Sequence, residues 1–187
     1  EHQKQHVELP RDIAAKFNHD YGVDFFPLTE PVIEGPGTRV MNLRDGSKKM
    51  SKSGESDMER INMLDDADTI AKKFKKAKTD PEPLPETVEG LAGRPEAKNL
   101  VDIYAGLTDQ TAEAVIAEFA GAGWGKFKPA LADLAVSKLA PISDEMKRLL
   151  DDPAEIDRTL GRGAEKARTI AAPILQRTYE IVGFLKS

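Results

Sequence analysis

Apolar residues recur at helical spacing over most of the chain and separate an amino-terminal part from a longer helical part. The first apolar stripe spans residues 5–21 and predicts one face of an amphipathic helix. Its members are Leu9, Ile13, Phe17 and Tyr21. Pro10 lies inside this pattern, so the helix either begins at Pro10 or bends there.

The pattern changes after Gly22. Residues 38–43 alternate between apolar and polar side chains, as a short β-strand does. Asp45 and Gly46 then predict a turn that leads into residues 49–53, a short segment rich in lysine and serine. Ser56 and Glu59 have the spacing of a capping box, which predicts a further helix through residue 64.

From residue 65 onward the pattern is helical. Asp65, Asp66 and Asp68 precede a helix with Ile70 and Phe74 on its inner face. The end of this helix is rich in lysine, at Lys72, Lys73, Lys75, Lys76 and Lys78. Acidic residues first and basic residues last suit the helix dipole, so an ordinary surface helix is favoured over an RNA phosphate contact, which stays open.

A proline-rich connector follows over residues 79–95, and several helical stripes follow it. The Asp152-Pro153 pair predicts the start of the last helix, and Pro173 predicts a kink in it. The chain therefore reads as a strand-containing piece over residues 1–64 and an all-α piece over residues 65–187. The segment of residues 49–53 lies close to their junction.

Composition and charge limit the classes of function. The chain has 187 residues, of which 40% are hydrophobic and 32% are charged, with a formal net charge of −5, as in an ordinary globular protein. This charge argues against a generally basic nucleic-acid coat. There is no cysteine, which excludes disulfides and thiolate chemistry. No run of residues is long and apolar enough for a membrane span, and we expect a cytosolic protein.

Histidine offers little support for a metal site. Only His2, His6 and His19 occur, and His2 and His6 alone have helical i, i+4 spacing. A metal site would need a third ligand nearby, so a helix face is favoured and no metal site is predicted.

The segment over residues 49–53 carries the clearest chemistry. Lys49 and Lys52 are three residues apart, hydroxyl groups stand beside them, and Gly46 and Gly54 flank them. Lysine ammonium groups are compact point charges with three donors each, which suits a grip on a polyphosphate. A solvated turn is the plain alternative, but the position between a predicted strand and a predicted helix start favours phosphate binding. Neither a Walker A loop nor a GxGxxG motif occurs.

This segment resembles a known family. Residues 49–53 read KMSKS, which is identical to the signature of class I aminoacyl-tRNA synthetases. Residues 1–9 and 11–14 resemble the G-[ED]-D-Q-K-Q-H-x-E-L-T-R-D-I-A segment of bacterial-type tryptophanyl-tRNA synthetases, although His2 stands where Asp is usual and Pro10 where Thr is usual. Further agreement lies in residues 37–43, 64–67, 79–80, 99–104 and 163–167, so the resemblance covers the whole chain.

The resemblance implies a fold and a set of site residues. The fold would be mainly α, with the C-terminal remnant of a class I Rossmann-like catalytic domain over residues 1–64. A helical bundle that meets the tRNA anticodon would follow over residues 65–187. Lys49 and Lys52 would be catalytic and would stabilise the polyphosphate, and Gln3 would bind the amino acid. The ATP-binding residues would be Glu1, His2, Val40, Lys49, Met50, Ser51, Lys52 and Ser53.

The function implied by the resemblance is that of a tryptophan-tRNA ligase. Such an enzyme would use ATP with Mg²⁺ as a substrate, activate tryptophan and load tRNA(Trp), and the full-length form would be a homodimer. The His-x-Gly-His type signature of the family is absent from the chain, so we expect a truncated and inactive part. A non-catalytic helical RNA-binding module and a structural scaffold are the alternatives.

Overall fold

The computed structural model describes residues 4–32 and 39–184. Six α-helices and two short 3-10 helices occur in these residues. The α-helices are α1 (Lys4–Tyr21), α2 (Ala67–Lys75), α3 (Pro95–Thr108), α4 (Ala112–Phe119), α5 (Trp124–Leu150) and α6 (Pro153–Val182). The 3-10 helices are Asp57–Glu59 and Val88–Leu91. The prediction of a mainly α protein is therefore confirmed.

The chain divides into two compact units. The first takes its described residues from Glu1–Ile33 and Asp151–Ser187, and the second takes them from Glu34–Leu150. The boundary predicted between residues 64 and 65 concerns the domains of the complete fold, and it stays a prediction.

In the first unit, α1 and the segment after it are joined by Asn18. The Asn18 side chain donates to the carbonyl oxygen of Phe26 at 2.8 Å and accepts from the backbone N–H groups of Phe25 and Phe26 at 3.2 and 3.0 Å. Phe17 stacks edge-on against Phe26 with ring centroids 4.9 Å apart. The predicted helix over residues 5–21 is confirmed, and it continues through Pro10.

The last helix, α6, begins as predicted. Asp152 caps it by accepting from the backbone N–H of Glu155 at 3.1 Å, and Pro153 occupies its first turn. None of its residues is buried. In the described part of the chain, no helix is both long enough and apolar enough to cross a membrane.

The second unit holds the main core. Apolar side chains of α2, α3, α4 and α5 meet there, among them Phe74, Leu100, Ile116, Phe127 and Leu131, all nearly or fully buried. Asp66 caps α2 by accepting from the backbone N–H of Thr69 at 2.8 Å, so the predicted helix start is confirmed. The helices thus form a packed platform on one side of residues 39–64.

Two local predictions were wrong in part. The predicted strand is reduced, within the described residues, to a single antiparallel bridge between Met41 and Lys49, because α3 rather than a neighbouring strand supplies the other partners of Met41. Ser56 does cap a helix, but it accepts from Met58 N, and the helix is one 3-10 turn. Arg60 is in an extended conformation, with φ −142° and ψ 162°, and ends that turn.

Candidate functional site

Residues 40–50 form a short hairpin that presents the lysine loop, by which we mean residues 49–53. The backbone N–H of Asn42 donates to Lys48 O at 2.8 Å, and that of Met50 donates to Val40 O at 3.1 Å. Together with the bridge between Met41 and Lys49, these bonds place Val40 and Met50 side by side. Lys49, the first lysine of the loop, therefore lies on an ordered arm of the hairpin.

The hairpin turn is built from short polar side chains. The buried Asn42 accepts from the backbone N–H groups of Arg44 and Asp45 at 2.7 and 3.2 Å, an Asx-type turn. Hydrogen bonds from the Ser47 hydroxyl and then its backbone N–H, with Lys48 nearby, hold the pKa of Asp45 below its ordinary value. Asp45 is therefore a carboxylate at neutral pH and stabilises the turn in that form.

The turn lies against the start of α3. A Cβ atom added at Gly46 would be 2.5 Å from the backbone nitrogen of Glu96 and 2.6 Å from the carbonyl carbon of Pro95. No side chain fits at that distance, so glycine lets the hairpin approach the helix closely.

Asn99 of α3 fixes the arm of the hairpin. Its side-chain amide accepts from the backbone N–H of Met41 at 2.9 Å and donates to the Met41 carbonyl, also at 2.9 Å. The side chain is buried, with 3% exposed. It pairs with Met41 as the backbone of a neighbouring strand would, and so ties the arm to the helical platform.

A mostly apolar cavity lies between the arm and the platform. Val40, Met50 and Ile61 line it on one side, and residues of α3 with Phe74 and Leu139 line the rest. Its volume is about 300 Å³. Met50 also packs against the core cluster, so the methionine of the lysine loop has a structural partner while its neighbours point to solvent.

The lysine loop itself is exposed and tightly turned. The hydroxyl oxygens of Ser51 and Ser53 are 3.0 Å apart, and the backbone N–H of Gly54 donates to Ser51 O at 3.2 Å. Lys49, Ser51, Lys52 and Ser53 are all exposed. Within residues 4–32 and 39–184, neither Lys49 nor Lys52 has an ion-pair partner. The loop thus offers two unneutralised ammonium groups to solvent.

The predicted site residues are placed as far as the structure describes them. Val40 and residues 49–53 come together on the hairpin. Glu1, His2 and Gln3 lie outside the described residues, so their predicted roles stay predictions. Among the described residues no group of three or more histidine, aspartate or glutamate side chains could hold a metal ion.

The lysine cluster of α2 is not uniform. Lys72, Lys75 and Lys76 are exposed, as a surface helix requires. Lys73 is buried and pairs with Asp57 and Asp65. One lysine that the sequence grouped with possible phosphate contacts is therefore structural.

Sequence reasoning assigned no role to Asn99 or Arg60. Asn99 stood in a segment that resembled the family, but its partner is 58 residues away in sequence. Arg60 lies in a stretch interpreted as a helix, where an arginine reads as solvated. In both cases the sequence offers only a polar residue in a stretch of helical pattern, with other polar residues beside it, and this does not identify a partner.

Comparisons with known proteins identify the family of the chain. The family model described as tRNA synthetases class I (W and Y) matches residues 1–140. The tryptophan–tRNA ligase of Caulobacter vibrioides is 61% identical over 185 residues, which are 98% of this chain and 54% of that protein. The tryptophan–tRNA ligase of Agrobacterium fabrum is 54% identical over 203 residues, which are 98% of this chain and 57% of that protein. The chain thus spans about half the length of the curated relatives it matches.

Solved structures give the same result for the fold. The tryptophanyl-tRNA synthetase from Mycoplasma pneumoniae superposes with a TM-score of 0.78 at 25% identity, over 98% of this chain and 54% of that one. The enzyme from Campylobacter jejuni, solved with ADP and tryptophan, gives a TM-score of 0.64 at 29% identity, over 97% of this chain and 55% of that one.

Proposed function

The chain belongs to the class I tRNA synthetases for tryptophan and tyrosine, and we propose that it supplies the carboxy-terminal half of a tryptophan–tRNA ligase. In the complete enzyme, ATP would activate tryptophan as tryptophanyl adenylate, and the amino acid would then pass to tRNA(Trp). The observation that carries this proposal is the exposed KMSKS loop, whose two lysines lack carboxylate partners within the described residues.

Lys49 and Lys52 are the proposed catalytic residues. As the amino acid attacks the α-phosphate of ATP, negative charge moves onto the departing pyrophosphate. Ammonium groups that meet this charge speed the reaction only if their contacts strengthen in the transition state. Because neither lysine is held by a carboxylate within the described part of the chain, both are free to do so.

Val40 is proposed to contact the adenine ring, and the Met50 backbone is proposed to shape the ATP site beside it. They are neighbours across the hairpin, through the hydrogen bond from Met50 N to Val40 O at 3.1 Å, and both line an apolar surface. Ser51 and Ser53 would contribute hydroxyl groups near the phosphates. For Glu1, His2 and Gln3 the support is their resemblance to the family segment that lines the nucleotide and the amino acid.

The remaining parts of the proposal concern the whole enzyme. ATP would enter with Mg²⁺ as a substrate rather than as a tightly bound cofactor, and residues 65–187 would meet the tRNA anticodon. We propose that the full-length enzyme is a homodimer of the cytoplasm. These proposals rest on the resemblance to the family and on the relatives' names.

We propose that the 187-residue chain is inactive by itself, because phosphate contacts without the rest of the pocket lack proximity and orientation. A chimera in which this chain replaces the matching part of the Caulobacter vibrioides ligase should catalyse tryptophan-dependent exchange of pyrophosphate into ATP. The isolated chain should not. Exchange by the isolated chain would refute the proposal that it is inactive by itself. A folded but inactive chimera would refute the ligase function.

The role of the lysines is tested in the same chimera. Lys52→Ala should lower the exchange kcat by about 10- to 100-fold, as expected for the loss of one or two charge-assisted hydrogen bonds in the transition state. The matched control is Lys126→Ala, which removes an exposed lysine at the start of α5. A rise in KM for ATP with an unchanged kcat would contradict a transition-state role.

A further inference from the structure

Arg60 contacts the end of the lysine loop. One guanidinium nitrogen, Nη1, donates to the carbonyl oxygens of Gly54 and Ser56 at 3.0 and 3.2 Å. Gly54 is the residue directly after the loop. The Arg60 side chain is mostly buried, with 18% exposed, so it is held in this position rather than free in solvent.

The rest of the guanidinium is held by two further side chains. Nε donates to the Asn62 side-chain oxygen at 3.1 Å, and Nη2 lies 3.5 Å from a carboxylate oxygen of Asp57. Asn62 in turn donates to the same Asp57 oxygen at 2.6 Å. The planar guanidinium can make these bonds in several directions at once, which an ammonium group cannot.

Asp57 connects Arg60 to a buried lysine. Lys73 of α2 has 1% of its side chain exposed, and its Nζ lies 2.7 Å from Asp57 and 2.6 Å from Asp65. A buried ammonium group is tolerated when it is paired and hydrogen-bonded in this way. The hydrogen bond from Lys73, and then that from Asn62, hold the pKa of Asp57 below its ordinary value.

Asp65 ties this cluster to the helical platform. Its carboxylate accepts from the backbone N–H of Asn62 at 2.9 Å, and its carbonyl oxygen accepts from the buried hydroxyl of Ser143 in α5 at 2.8 Å. The cluster of Asp57, Arg60, Asn62, Asp65 and Lys73 contains two cations and two carboxylates. Its formal charge is zero, and its hydrogen bonds and ion pairs form a continuous series of contacts from Ser143 in the core to Gly54.

We propose that Arg60 is a positioning residue for the lysine loop, and that the buried Lys73 holds Asp57 in place to support it. This inference rests on the proposed ligase function. Asn99 fixes the hairpin arm before the loop through Met41, and Arg60 fixes the chain after it through Gly54. With both ends held, Lys52 samples fewer positions and meets the departing pyrophosphate more often in the productive one.

The test uses the chimera with the Caulobacter vibrioides ligase. Arg60→Ala should lower the kcat of tryptophan-dependent pyrophosphate exchange by about tenfold, the effect of one lost charge-assisted hydrogen bond, and leave the KM for tryptophan unchanged. Arg60→Lys keeps the charge but cannot reproduce the divergent hydrogen bonds, so it should lower this kcat to a similar extent. The control is Arg162→Ala, an exposed arginine of α6.

A double-mutant cycle separates positioning from a general loss of structure. If Arg60 acts through the loop lysines, Arg60→Ala should lower the exchange kcat by less than about threefold when Lys52→Ala is already present. Full additivity, or no effect of Arg60→Ala alone, would overturn the inference while Lys52→Ala still supports the proposed function. If Lys52→Ala has no effect in an active parent chimera, the catalytic role proposed for Lys52 fails and this inference fails with it, whereas a folded but inactive parent chimera refutes the proposed function.

A second measurement does not depend on catalysis. Trypsin should cleave after Lys49 and Lys52 about tenfold faster in the Arg60→Ala and Arg60→Lys chimeras than in the parent, because local opening governs cleavage. The Arg162→Ala chimera should match the parent. Unchanged cleavage rates at both lysines would overturn the inference. This holds whether or not Arg60→Ala also destabilises the protein slightly or lowers its activity for another reason.

Discussion

The bond between Asn99 and Met41 leads to a stability prediction of defined size. Asn99→Leu removes an amide that makes two hydrogen bonds of 2.9 Å to the backbone of Met41. It replaces the amide with an apolar side chain of similar volume, so little cavity is created. The N–H and C=O groups of Met41 then lose their partner in a partly buried position.

The magnitude follows from those two groups. A buried donor or acceptor left without a partner costs about 1–3 kcal/mol, and Met41 is only partly shielded from water, so the lower half of that range applies to each group. We therefore expect Asn99→Leu to reduce the free energy of unfolding by about 2–4 kcal/mol. The slope of that free energy against urea should not change, because the same surface is exposed on unfolding.

The assay is urea unfolding followed by tryptophan fluorescence. The chain has one tryptophan, Trp124, which lies in the second unit, where its indole N–H donates to the carbonyl oxygen of Asp80 at 2.7 Å. Its emission therefore reports the unit that contains the hairpin. Gln110→Leu, which replaces an exposed amide beyond the end of α3, is the matched control and should change the free energy by no more than about 0.5 kcal/mol.

A loss below about 0.5 kcal/mol for Asn99→Leu would mean that water replaces the amide at no cost. The hairpin arm would then not depend on α3 for its position. A loss of the expected size with a reduced slope would mean that the arm is already detached in the folded variant. Either result would refute the anchoring role assigned to Asn99.

Three further predictions use the same unfolding assay. Gly46→Ala should destabilise the second unit by about 1–3 kcal/mol, since the added Cβ meets the backbone of α3, whereas Gly123→Ala, with open space around it, should have a small effect. Lys73→Met should reduce the free energy of unfolding by about 3–5 kcal/mol because it leaves the carboxylates of the buried cluster without their cation. Lys72→Met, at the exposed neighbouring position, should cause no such loss. An equal loss for both variants would contradict the burial argument. Arg94 donates to Asp80 and holds the pKa of that carboxyl below its ordinary value, so this pair stabilises the fold above the unfolded pKa and loses that contribution as the pH falls through the folded pKa. The stability difference between the parent and Asp80→Asn should therefore shrink on going from pH 7 toward pH 3, and a constant difference would contradict it.

Local features of the fold could be predicted from the sequence because their causes are local. Asp66 and Asp152 cap helices within three residues of themselves, and Pro153 supports the helix start beside it. The apolar stripes of α3 to α5 are likewise read from spacing alone. The lysine loop can be recognised in the sequence because its lysine and serine residues lie within five consecutive positions.

Other features depend on contacts that sequence spacing does not reveal. The predicted helix after Ser56 is a single 3-10 turn, because Arg60 has an extended backbone. The Arg60 guanidinium donates instead to the carbonyl oxygens of Gly54 and Ser56. Lys73 looks like one of several surface lysines until Asp57 and Asp65 are placed around it. At Arg60 tertiary partners override the local helix propensity, whereas at Lys73 the helix is as predicted and only the burial of the side chain is not.

The way the lysine loop is held also explains how it can be ordered while its two lysines stay without carboxylate partners in the described part of the chain. Its anchors are side-chain contacts to backbone groups, from Asn99 to Met41 and from Arg60 to Gly54. Had carboxylates held Lys49 and Lys52 instead, each ion pair would have to break before a phosphate could bind, at a cost of up to about 1 kcal/mol at the surface. Anchoring through the backbone avoids that competition. It fixes where the loop begins and ends and leaves the two ammonium groups for an anionic ligand.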